Sequence, residues 1–108
     1  MHEAFTTELK LGPFMAHMEV MPAMAGRNEI HLDFEGGRPD AVRVSASLES
    51  NDIGPLRYKA RPALDHGSYV VKPANLAPAG DWKLRIEARR GQFELFTETT
   101  SVPIEEES

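Results

Sequence analysis

Apolar and polar residues alternate along nearly the whole chain. That period of two is the pattern of a half-buried β-strand, whose successive side chains leave opposite faces of a sheet. Phe5, Thr7, Leu9 and Leu11 set the pattern before Gly12-Pro13 breaks it. Phe14, Ala16, Met18 and Val20 resume it until Pro22, and Ile30, Leu32 and Phe34 until Gly36-Gly37 and Pro39. Val42, Val44, Ala46 and Leu48 follow, and Trp82, Leu84, Ile86 and Ala88 make the clearest run of all. No segment holds apolar residues at helical spacing over three turns.

Glycine and proline punctuate these runs at short intervals, as a sandwich of short strands requires. The expectation is an all-β fold, an immunoglobulin- or fibronectin-III-like antiparallel sandwich of seven to eight strands. Residues 50–55 read as a loop. Residues 56–64 read as a weaker strand that Pro62 confines to an edge. Gly36-Gly37 reads as a hairpin turn needing positive φ. Phe93, Leu95 and Phe96 break the alternation, so a bulge or a partly exposed aromatic is expected there. Tyr69 and Trp82 read as core residues whose polar ends find a partner.

A chain of 108 residues is one ordinary domain, with its core over about residues 5–104 and a charged, frayed tail at 105–108. It has no cysteine, which removes disulfides, thiolate zinc sites and cysteine nucleophiles. Its net charge of −5 argues against nucleic acid and against anionic lipid. No run is long and apolar enough to span a bilayer, so direct membrane insertion by this chain is not expected. Ser45, Ser47 and Ser68 have no nucleophile elbow around them, and no glycine loop precedes a helix. The chain therefore reads as something other than an enzyme.

One register follows from matching core face to core face. Strands 14–21 and 28–34 pair Val20 with Ile30, Met18 with Leu32 and Ala16 with Phe34, since a one-residue slip would set apolar against polar throughout. Met21 then lies opposite Glu29, Glu19 opposite His31, and His17 opposite Asp33, with Met15 on the same outer face.

Several short pieces recur in a recognisable order: Val20-Met21-Pro22-Ala23 with Gly26-Arg27-Asn28 and Ile30-His31-Leu32, then Ile53-Gly54-Pro55-Leu56, His66-Gly67-Ser68-Tyr69, Ala79-Gly80-Asp81-Trp82-Lys83-Leu84 and Val102-Pro103-Ile104. Over about residues 5 to 104 the chain is similar to the C-terminal extracytoplasmic domain of the copper-resistance D family of bacterial membrane proteins, and to YtkA-like domains. Residues 76–86 also resemble the approach to the penultimate strand of fibronectin-type sandwiches, with Trp82 where a tyrosine is often found. The resemblance implies a detached or excised domain on the periplasmic or extracellular face of the cytoplasmic membrane. Its implied partners are the membrane portion of a parent protein or a periplasmic or extracellular copper protein. The resemblance carries no catalytic residue over.

Thioether sulfur suits Cu(I), and imidazole suits either oxidation state of copper. Met15, His17, Glu19 and Met21 alternate along one strand, so neighbours in the stripe stand about 7 Å apart on one face. Met15, His17 and Met21, supported by His31 and Glu19, are the candidate copper ligands, with Asp33 and Met24 within reach of the same region. Met18 is excluded because its face is the core. Against this stands a purely structural interaction module with no metal site, in which the methionines fill apolar contacts and the histidines are idle. His2 with Met1, and His66 in its turn, read as surface residues ahead of ligands.

Overall fold

The structure, a computed structural model, describes residues 4–63 and 67–106. Among these, nine strands form two antiparallel sheets. One sheet runs β1 (Phe5–Leu11), β2 (Phe14–Met21), β3 (Gly26–Glu35), β7 (Ser68–Leu76), β6 (Arg61–Pro62). The other runs β5 (Ile53–Lys59), β4 (Ala41–Leu48), β8 (Gly80–Arg90), β9 (Glu94–Ile104). The chain passes from one layer to the other between β3 and β4, β5 and β6, and β7 and β8, which gives the expected immunoglobulin-like sandwich.

The ninth strand comes from a sheet switch. Residues 56–64 read as one strand, but the chain leaves the β4 ladder at Ala60, whose N–H donates to the Val42 carbonyl at 3.0 Å. Arg61–Pro62 then joins β7 at the edge of the other sheet, where the missing N–H of Pro62 costs no ladder bond. The stretch expected as a loop over 50–55 is shorter. A 3-10 turn at Glu49–Asn51 ends on Asp52 in the left-handed region, and β5 starts at Ile53.

The alternating residues fill one core between the sheets. Trp82, Met18, Ile30, Leu32 and Ile86 are among its fully buried members. At one end it closes with aromatic edges. Phe14 meets Phe34 and Phe96 with ring centroids 6.1 Å apart, and Phe34 meets Tyr69 at 5.8 Å. This cluster ties β2, β3 and β7 to β9 across the layers. The Tyr69 hydroxyl donates to the Pro39 carbonyl at 2.6 Å, which holds the β3–β4 connection down on the core. Gly36 and Gly37 both have positive φ there, but the turn is not the expected hairpin: β3 and β4 lie in different sheets, and the glycines carry the chain across the layers.

β9 carries no bulge. Its ladder with β8 runs without a shift from Gly80 opposite Ile104 to Arg90 opposite Glu94. The broken alternation at 93–96 is instead an exposed aromatic at the hairpin tip: Phe93 is 93% exposed and Leu95 53%, while Phe96 turns inward to the core. The tail also stays attached one residue longer than expected. Glu105 donates its N–H to Ala23 and accepts from the N–H of Ala25, so the end of β9 is stitched to the β2–β3 connection.

Candidate functional site

The β2–β3 register is the one argued from the sequence: Val20 opposite Ile30, Met18 opposite Leu32 and Ala16 opposite Phe34. The outer face follows from it. Met21 lies opposite Glu29, Glu19 opposite His31 and His17 opposite Asp33. Met15 is 41% exposed, an unusual position for a thioether, and His17 is exposed beside it, while Met18 is fully buried. Glu19, Met21 and His31 are half-buried.

Strand geometry divides the stripe in two. Met15 and Met21 are six residues apart on one strand, about 20 Å, so one ion reaches one of them and not both. At the Met15 end, His17 has Asp33 across β3 and Glu8 across β1. Asp33 accepts a hydrogen bond from the Ser68 hydroxyl at 2.6 Å, whereas the His17 imidazole has no hydrogen-bond partner among the described residues. At the Met21 end the imidazole is engaged: His31 Nε2 lies 3.1 Å from Glu29 Oε1, and Lys72 Nζ lies 3.7 Å from the other carboxylate oxygen. The hydrogen bond from His31, helped by the charge of Lys72, holds the Glu29 carboxyl below its usual range. Met21, Glu29 and Lys72 border a shallow depression of about 300 Å³ with Pro22, Arg27 and Pro73.

The loop beneath Met21 is built by Asn28, the one polar residue buried among the described ones. Its side-chain oxygen accepts from the Ala23 N–H at 2.8 Å, and its amide donates to the carbonyls of Met24 at 2.9 Å and Gly26 at 3.1 Å. These bonds fix residues 23–26, including Ala23 at a φ of 62°. Met24 is held half-buried in that loop, its backbone bridged to Glu105.

Among the described residues no three His, Asp or Glu side chains converge to hold a metal ion. Met1, His2 and His66 lie outside the described residues. Glu8 and Glu29 were not singled out from the sequence. The first needed the β1–β2 pairing, which places Thr7 opposite Met18 and Glu8 opposite His17; the second was visible as the residue opposite Met21. Comparisons with protein-family models, with curated proteins and with solved structures find no match.

Proposed function

We propose that this domain is an accessory extracytoplasmic module of a copper-handling membrane protein, and that it presents a soft copper ion weakly at the Met15 end of its outer sheet face without turning over a substrate. The observation that carries the reading is the exposed pair Met15 and His17, adjacent on one strand face with the imidazole free of any described partner. Two soft donors about 7 Å apart at the backbone bring sulfur and nitrogen to one Cu(I) when both side chains lean inward, and the carboxylates opposite supply negative charge. The setting, attachment to a membrane portion outside the cytoplasm, rests on the resemblance of the ordered pieces to copper-resistance D domains. A titration with Ag(I), a redox-inert stand-in for Cu(I), tests it by NMR. Saturable shifts at the Met15 methyl and the His17 ring support it. Stoichiometric silver that leaves both unmoved overturns it.

A second reading, a structural interaction module with no metal site, is favoured by the hairpin tip. Phe93 and Leu95 are the most exposed of the large apolar side chains among the described residues, and an apolar tip of this kind suits contact with a partner domain.

A further inference from the structure

The basic residues of this acidic chain are not spread evenly. β4, β5 and β8 each turn one set of alternating side chains into the core and the other out to solvent. The outward set carries Arg43, Arg57, Lys59, Lys83, Arg85 and Arg89, half of the 12 Lys and Arg in the sequence. The same face holds Glu87 and Asp81, and the carboxylate of Glu49 reaches in from the 3-10 turn to Lys83 at 2.8 Å. The other five cations have no hydrogen-bond or ion-pair partner among the described residues. The excess is positive, on a molecule whose net charge is −5.

The register shows how the cations are arranged. Arg43 lies directly opposite Lys59 on β5, a like-charge pair, and opposite Glu87 on β8, which offsets part of that charge and leaves an excess of cations across the three strands. Ser45 sits between Arg57 on one side and Arg85 on the other, and Ser47 lies opposite Lys83. Serines are short, so the long side chains around them stand up as a rim. The result is a shallow basin of about 270 Å³ floored by Ser45 and Ser47, with Arg57, Lys83 and Arg85 on its rim outnumbering the one carboxylate there, Glu87. Arginine forks around a hydroxyl floor suit carboxylates, which accept two parallel N–H bonds from each guanidinium. At the far end of the face Leu95 stands opposite Arg89, adding an apolar contact beside the charges.

We propose that the outer face of the β5-β4-β8-β9 sheet docks an acidic polypeptide segment, its carboxylates seated between Arg57 and Arg85 and along Arg43 and Lys59. A protein partner is favoured over a lipid surface for two reasons. The net charge of −5 repels an extended anionic bilayer, whereas a short segment within the basin feels the local field. The cations also stand at the fixed spacings of a sheet, which an extended chain matches. This inference shares with the interaction-module reading the premise that the domain has a partner. It concerns the sheet opposite the Met15 stripe, so silver binding and peptide binding fail independently, and the Phe93 tip is tested by its own variant.

The test is an NMR titration of the whole chain with a poly-glutamate peptide of about eight residues, long enough to cross the roughly 20 Å from Lys83 to Arg89. Poly-glutamine is the uncharged control. Saturable shifts at the amides of Ser45, Ser47, Arg57 and Arg85, absent with poly-glutamine, are expected. The double variant Arg57→Glu/Arg85→Glu should weaken binding at least about tenfold. Arg57→Gln/Arg85→Gln, which changes no charge sign, should weaken it less, and guards against a fold defect in the reversal. Lys10→Glu and Lys72→Glu on the other sheet should leave binding unchanged, as should Phe93→Ser. Peptide shifts that are absent, that map elsewhere or that survive the charge reversal overturn the proposal. So does tighter binding to phosphatidylserine vesicles or to a single-stranded oligonucleotide than to the peptide.

Discussion

The indole N–H of Trp82 donates to the carbonyl of Pro78, four residues upstream, at 2.9 Å. The geometry is that of the corner found at the start of the penultimate strand in immunoglobulin-like sandwiches, with an indole where a tyrosine hydroxyl often serves. The bond fixes the turn entering β8 while the ring fills the middle of the core, fully buried. Trp82→Phe keeps an aromatic ring, loses the donor and leaves a small void. It should cost about 2 kcal/mol from the lost bond and the partly filled cavity. Chemical denaturation followed by circular dichroism measures it; a cost near zero would show that the corner contributes nothing.

Asn28 holds the β2–β3 connection through three hydrogen bonds to backbone groups of residues 23, 24 and 26. Asn28→Ala strands the buried Ala23 N–H and frees the loop from its fixed shape. The expected loss is about 1–3 kcal/mol, the cost of an unsatisfied buried group. Hydrogen exchange should show the extra opening first at the amides of Ala23 and Ala25, before the β4–β8 ladder responds. Uniform exchange across the domain would contradict this local role.

Gly12 turns β1 into β2 at a φ of 62°, and a Cβ there would collide with the ring of Phe96. Gly12→Ala must displace that ring, which packs edge-on to Phe14 and lies 5.6 Å from the Arg90 guanidinium. The substitution therefore disturbs the aromatic end of the core as well as the turn. A loss of about 1–3 kcal/mol is expected from overpacking together with backbone strain. Gly91→Ala is the contrast: its φ is also positive, but a Cβ there meets nothing, so the loss should be smaller.

The register of the β2–β3 ladder was legible because one face is core, and a slip would have buried polar side chains across its whole length. Ala16, Met18 and Val20 face inward, as their spacing requires. The sheet switch at Ala60 was not legible, since it depends on the pairing of Arg61 and Pro62 with Val70 and Tyr69, in another part of the chain. At the candidate site the sequence places Met15, His17 and Met21 on one face but does not reveal that His31 is already engaged by its own neighbour Glu29. Residues two apart on a strand share a face, so that ion pair was readable as a possibility; its choice over Glu19, directly opposite, rests on side-chain geometry. The basic face was hidden in the same way. Its arginines lie in three separated segments, and only the β5-β4-β8 order brings them together.

The His31–Glu29 contact has a pH signature. The carboxyl of Glu29 is held below its ordinary value of 4.5, first by the His31 hydrogen bond. A carboxyl depressed in the folded state stabilises above its unfolded pKa, and that contribution disappears as pH falls through the folded value. The window is therefore the acid side of 4.5. The pair is solvated, so salt screens it and its effect on melting is small. The side-chain carbonyl resonance of Glu29 reads it directly. In His31→Ala that resonance should titrate at a higher pH than in the parent chain, and an unchanged midpoint would assign the depression to Lys72 instead.

The 20 Å between Met15 and Met21 makes the two ends of the stripe separable. Met15→Leu and Met21→Leu remove sulfur at nearly constant volume, and both sites are partly exposed, so each fold should survive with a change below about 1.5 kcal/mol. If the free imidazole of His17 makes the better donor, Met15→Leu and His17→Ala should each abolish the silver-induced shifts at the other residue. Met21→Leu should leave those shifts intact. At the Met21 end an arriving ion has to displace Glu29 from His31, so silver shifts there should appear only at higher concentration and should strengthen in Glu29→Gln. Equal loss from Met15→Leu and Met21→Leu would mean that the two ends act together, which a single ion on one rigid strand cannot do; silver would then be bridging two copies of the domain, and sedimentation at the same silver ratio would show the dimer.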